Sequence, residues 1–83
     1  MTWQDYKRTV RGRKASIGIL DGQYVMEWVT QSGMCSNFYK ISKEEYDRYE
    51  EWKDNEDAIL DLRLRGCWYV GFFGNSEFRL KEE

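Results

Sequence analysis

Carboxylates are the most abundant chemically active groups in this chain, and they are concentrated. Residues 42 to 61 hold nine of them, Glu44, Glu45, Asp47, Glu50, Glu51, Asp54, Glu56, Asp57 and Asp61, against Lys43, Arg48 and Lys53, a net charge of −6. Carboxylates support three kinds of chemistry: a pair can cleave glycosides, a cluster can hold a hard cation such as Mg²⁺, and a charged surface can match a basic partner. The first two require oxygens that converge on one point. Spacing argues for the third. On a helix turning 100° per residue, with Tyr46 at 0°, Asp57, Glu50, Asp61, Asp54, Asp47, Glu51 and Glu44 fan out between roughly 20° and 160°. No base from residues 44 to 61 shares that arc. Tyr46, Tyr49, Trp52, Ile59 and Leu60 occupy roughly 220° to 360°, a face suited to burial. Like charges three and four residues apart cost a helix about 0.2 to 0.5 kcal/mol per pair, so the strip opposes its own helix until positive charge meets it. The sequence therefore predicts a partner-binding face of Glu44, Asp47, Glu50, Glu51, Trp52, Asp54, Asp57 and Asp61. In it Trp52, at the boundary of the apolar arc, supplies binding energy and the acids supply specificity.

Other catalytic chemistry lacks its usual residues. The chain has no histidine, so the side chain best suited to proton transfer near neutral pH is missing, and Ser or Cys nucleophiles lack their usual base. Neither a Gly-x-Ser-x-Gly elbow nor a phosphate-cradling P-loop occurs. Cys35 and Cys67 are the only cysteines; two sulfurs without histidine make no structural zinc site, and they read as buried free thiols. The expectation is a protein that is not an enzyme, with no catalytic residue, no metal and no cofactor.

An acidic strip needs a helix to carry it and a sheet to pack that helix. Ser42 with Glu45 three residues on forms a capping box, and Ile41 with Tyr46 forms a hydrophobic staple, so a helix starts at Lys43. Its apolar spacing extends to Arg65, where Gly66 is a natural terminator. Asp54-Asn55 can break or re-cap it, and the alternation of Leu60, Leu62 and Leu64 with Asp61, Arg63 and Arg65 also fits a strand. Helix throughout, kinked near Asn55, is the favoured reading. Upstream, residues 14–20 and 24–30 read as strands joined at Asp21-Gly22, a strong hairpin signal. Gln31-Ser32-Gly33 turns into a third strand at 34–41; residues 67–73 form a fourth, buried one, and Gly74-Asn75 turns into a last strand at 77–80. Thr2 and Asp5 suggest a capped start for Trp3, Tyr6 and Val10, so residues 1–13 read as a short helix or a mobile basic arm. The fold class expected is α+β: a single domain, 1–83, with an antiparallel sheet of about five strands and one long helix on one face. A partly open barrel fits the same order of elements.

At 83 residues the core must be thin, and four Trp, six Tyr and four Phe compensate for it. No run approaches the ~20 apolar residues of a membrane span and the amino end lacks a signal-peptide pattern, so a cytoplasmic location without membrane contact is the default expectation. Charge is uneven along the chain. Residues 1–14 hold Lys7, Arg8, Arg11, Arg13 and Lys14 against Asp5, a net +4. This stretch, with strand aromatics such as Trp68, Tyr69, Phe72 and Phe73, supports an alternative: a small domain that binds single-stranded nucleic acid. A homo-oligomer joining the basic end of one copy to the acidic helix of another also fits.

The segment Phe38-Tyr39-Lys40-Ile41-Ser42-Lys43-Glu44-Glu45-Tyr46, an aromatic strand running into a capped acidic helix, resembles small bacterial immunity proteins that neutralise secreted or contact-delivered toxins. Phage-encoded inhibitors of host defence are similar in size and acidity. The resemblance extends over residues 15 to 65. It implies a stoichiometric, non-catalytic inhibitor whose basic partner is a toxin domain, often a nuclease.

Overall fold

Asp21 and Gly22 close a tight hairpin with φ of 52° and 74°, the left-handed pair that a two-residue hairpin turn requires. From this turn the sheet can be traced in both directions. The computed structural model describes residues 2–30, 33–74 and 78–80, and it contains one antiparallel sheet of six strands in sequence order. These are β1 (Tyr6–Val10), β2 (Ser16–Leu20), β3 (Gln23–Val29), β4 (Cys35–Lys40), β5 (Tyr69–Phe72) and β6 (Phe78–Leu80). Three short helices, α1 (Lys43–Asp47), α2 (Tyr49–Trp52) and α3 (Glu56–Arg63), connect β4 to β5. The α+β class is as expected. The single long helix is not: Arg48 leaves helical geometry at φ −96° and ψ 18°, and Asn55 does so at φ −95° and ψ 106°. Asn55 then caps α3, its side-chain oxygen accepting the Ala58 N–H at 3.1 Å.

The amino end also departs from the expectation. Thr2 does form its capping box with Asp5, but the coil is a single 3₁₀ turn, Trp3–Asp5, and the next five residues are β1 rather than a helix or an arm. Thr9 and Val10 are β-branched and lose little in a strand. The Gln31-Ser32 part of the second expected turn and Asn75 of the last lie outside the described residues. Gly33 has the φ of 70° expected of a turn glycine. β5 is half-buried rather than buried, with only Gly71 fully covered.

Strand pairing sorts the side chains onto two faces, since successive residues alternate. Ile17, Met26 and Tyr39 face the helices and form one core with Ile41, Tyr49, Trp52, Ile59 and Leu62. On the opposite face Leu20, Val25 and Phe38 are covered by Trp3, Tyr6, Trp68 and Tyr69. Trp3 fastens this second layer: its indole N–H donates to the Phe72 carbonyl at 3.1 Å and its ring stacks on Phe73 at 5.4 Å. The sheet thus curls over its own aromatics, while β1 and β6 remain unpaired to each other.

A charge lies inside the curl. The Glu27 side chain is 1% exposed, and its two oxygens accept Arg8 Nε and Nη2, both at 2.8 Å, with Tyr6 Oη and Ser36 Oγ at 2.9 Å. Burial pushes the Glu27 carboxyl up, but hydrogen bonds from Arg8, Ser36 and Tyr6 outweigh it and hold the group below its ordinary value. Arg8 and Glu27 sit on strands either side of β2, and Gly18 stands opposite Arg8. A Cβ there would strike the Lys7 carbonyl and come within 2.7 Å of Tyr6 Cε1, so a glycine is required at this crossing.

Removing one member of a buried pair leaves an uncompensated charge. Arg8→Met is therefore expected to cost on the order of 3 kcal/mol in urea unfolding, with part recovered by adding Glu27→Gln. No loss, or no recovery, would contradict this packing. Asn55→Ala is expected to cost about 0.5 to 2 kcal/mol by the same measurement, through loss of the α3 cap.

Candidate partner-binding face

All seven carboxylates of the expected strip are exposed: Glu44, Asp47, Glu50, Glu51, Asp54, Asp57 and Asp61. Trp52 is not at their edge. It is 9% exposed, packs edge-to-face on Tyr49 at 5.2 Å, and donates its indole N–H to the Glu45 carbonyl at 2.7 Å. Trp52 is a core residue: α3 begins anew at Glu56, and its Ile59 and Leu62 join Trp52 in one core cluster.

The strip is also less uniform than helical projection implies. Asp47 is met by Lys43 at 2.8 Å, Glu44 by Arg48 at 3.6 Å and Glu50 by Lys53 at 2.8 Å. These pairs are exposed and add little to stability, but they use up charge locally. The amino-terminal bases come near as well. Arg11 and Arg13 line a cleft of about 140 Å³ with Glu50, Lys53 and Asp54, and Lys14 lies 3.8 Å from Glu56. Among the described residues, Glu51, Asp54, Asp57 and Asp61 form no ion pair.

Two of those four belong to α3, whose packing the sequence did not reveal. Restarted at Asn55, α3 turns Ile59 and Leu62 into the core and leaves Leu60 47% and Leu64 74% exposed. Asp57, Leu60, Asp61 and Leu64 follow one another at steps of three, one and three, which is a single stripe along a helix. Leu60 belonged to the expected buried face; the helix break explains its exposure. The interval between Leu60 and Leu64 was legible, but the phase was not.

A groove of about 190 Å³ borders Asp61, with Trp52, Ala58 and Leu62 as apolar lining and Glu45 and Arg65 at its edge. Arg65 grips Glu45 with two hydrogen bonds of 2.8 and 2.5 Å, while the same carboxylate accepts the Ser42 N–H at 2.8 Å. The Arg65 hydrogen bond, opposed by partial burial and joined by the Ser42 amide, lowers the Glu45 carboxyl from 4.5 to about 2.

The residues of the nucleic-acid alternative are dispersed among other contacts. Arg8 is engaged by Glu27, and Arg11 and Arg13 line one cleft with Glu50 and Asp54. Trp68 and Tyr69 pack on each other at 4.9 Å with Lys40 over the Trp68 ring at 4.5 Å, and Phe73 stacks on Trp3. Among the described residues no three of His, Cys, Asp and Glu gather in a way that would hold a metal ion, and no helix is long and apolar enough to cross a membrane. Cys35 and Cys67 are half-buried thiols rather than a disulfide. No family model, curated protein or solved structure matches the chain.

The Glu45 shift has a definite sign in pH. A folded-state value of about 2, below 4.5 in the unfolded chain, makes its contribution complete above pH 4.5 and lost as pH falls towards 2. Glu45→Gln is expected to flatten part of that acid decline in urea unfolding. An unchanged slope would show that the Arg65 fork does not form.

Proposed function

We propose that this protein is a non-catalytic inhibitor of immunity type that docks the outward stripe of α3 onto a basic partner such as a toxin nuclease domain. The observation that carries this reading is the alternation, along α3 and its C-cap Leu64, of two exposed leucines with two carboxylates that have no ion pair among the described residues. Leucines at Leu60 and Leu64 offer apolar surface that a partner can desolvate, and Asp57 and Asp61 beside them favour lysine or arginine over any acid. Glu51 and Asp54 extend the negative field towards α2 and steer approach, an effect that raises association rates to about 10⁸ M⁻¹s⁻¹ at low salt. A surface made for phosphates is basic, and a row of carboxylates on a short helix is a chemical mimic of that ligand. The resemblance of residues 15 to 65 to immunity proteins supports the same class.

The nucleic-acid reading ranks second, because Arg8 is held by Glu27 and Arg11 and Arg13 share a cleft with Glu50 and Asp54. The two readings separate experimentally. Photo-crosslinking from position 60 in cells of the organism that encodes the chain, read by mass spectrometry, is expected to trap a protein with a basic surface. Trapping should fall at least about tenfold with Asp57→Lys and Asp61→Lys together, since each new base repels what the acid attracted. Undiminished trapping by that variant, or crosslinks confined to nucleic acid or a second copy of the chain, would contradict the proposal.

A further inference from the structure

The last turn of α3 meets the sheet at a second concavity, built from residues outside the acidic stripe. Trp28 and Thr30 are two residues apart and share a face, and Asn37 stands opposite Trp28 in the β3–β4 ladder. The Thr30 N–H continues that ladder to the Cys35 carbonyl at 3.0 Å. Arg63, the final residue of α3, lays its guanidinium over the Trp28 ring, 4.8 Å from the centroid. These four side chains line a pocket of about 270 Å³.

One atom of this pocket breaks a rule kept elsewhere among the described residues. Arg63 Nε is buried and has no hydrogen-bond partner, the single buried side-chain nitrogen or oxygen of which that is true among them. Arg63 also forms no ion pair there, whereas Arg8, Arg48 and Arg65 each have a carboxylate. Buried donors are almost always satisfied, so an orphan in a pocket indicates an acceptor supplied from outside. Stacking on Trp28 fixes the plane of the guanidinium and leaves its donor edge for coplanar oxygens. The Asn37 amide adds an adaptable donor, since Asn37 Nδ2 makes only a long contact, 3.4 Å, to Tyr39 Oη, whereas the Thr30 hydroxyl donates to the Cys35 carbonyl at 3.2 Å and contributes wall rather than a donor.

We infer that Trp28, Asn37 and Arg63 form a receptor for an oxyanion, a carboxylate or phosphoryl group gripped by the Arg63 fork, with Thr30 as part of the wall. The carbonyls at the end of α3 oppose any anion by their partial negative charge. Recognition therefore rests on directed hydrogen bonds, and a halide of the same charge does not substitute. The site is independent of the acidic stripe and stands or falls separately from it.

Amide and side-chain N–H correlation spectra of the full chain, titrated in parallel with sodium phosphate, sodium acetate and sodium chloride at matched pH and ionic strength, test this directly. The expected result is saturable movement of the Arg63 Nε–H and Trp28 indole N–H signals with phosphate or acetate, with Kd on the order of millimolar, and none with chloride. Saturation by phosphate at lower concentration assigns a phosphoryl group as ligand, and the reverse order assigns a carboxylate. Arg63→Lys, which keeps the charge and loses the fork, is expected to weaken binding about tenfold, and Asn37→Ala several-fold, with the remaining spectrum unshifted in each. Equal movement with chloride, no movement with either oxyanion, or full affinity in both variants would overturn the inference.

Discussion

The outward face of α3 depends on one hydrogen bond, the acceptance of the Ala58 N–H by the side chain of Asn55. Asn55 holds extended backbone geometry between two helical segments, so the chain leaves α2 in one phase and enters α3 in another. An uninterrupted helix from Lys43 would have kept Leu60 on the same side as Tyr46 and Tyr49. With the restart, Ile59 and Leu62 reach the core beneath, and Leu60 and Leu64 turn to solvent beside Asp57 and Asp61. A cap of ordinary strength thereby decides which side chains of α3 face solvent.

The sheet provides the rigid support this arrangement needs. A domain of this size has little apolar volume to spare, and here it is divided between two layers, one under the helices and one inside the curl of the sheet. The inner layer is tied by Trp3 across to Phe72 and by the Arg8 fork on Glu27 beneath it. Neither tie is primarily a source of net stability, since a buried ion pair repays little beyond its own desolvation. Their effect is to fix β1 against β2 and β3 in a single register, because Arg8 and Tyr6 reach Glu27 only across Gly18.

Local signals in the sequence were read correctly where a few adjacent residues determine the outcome. Asp21-Gly22 specified a hairpin, and Ser42 with Glu45 specified a helix start. Failures arose where two local signals compete or where the deciding partner is distant. Thr2 and Asp5 form a true capping box, yet the β-branched Thr9 and Val10 and the reach of Arg8 to Glu27 make the following residues a strand. The carboxylates of the candidate face were legible because charge at helical spacing stays exposed whether or not the helix is broken. Trp52 was misplaced because its burial depends on Ile59 and Leu62 of the restarted helix and on a carbonyl seven residues away. The exposure of Leu60 and Leu64 follows from the Asn55 break and from nothing in their own neighbourhood.

Among the described residues Glu44, Asp47 and Glu50 are paired with neighbouring bases, while on α3 and its C-cap Asp57 and Asp61 lie unpaired beside two exposed leucines. That exposure is the premise of the docking reading, and it is open to a direct measurement. Methyl relaxation in the presence of a soluble gadolinium chelate compares the leucines and the isoleucine of α3 in one spectrum. Strong relaxation of the Leu60 and Leu64 methyls is expected, with protection of Ile59 and Leu62. Protection of Leu60 equal to that of Leu62 would mean that the helix does not restart at Asn55, and the stripe would not exist.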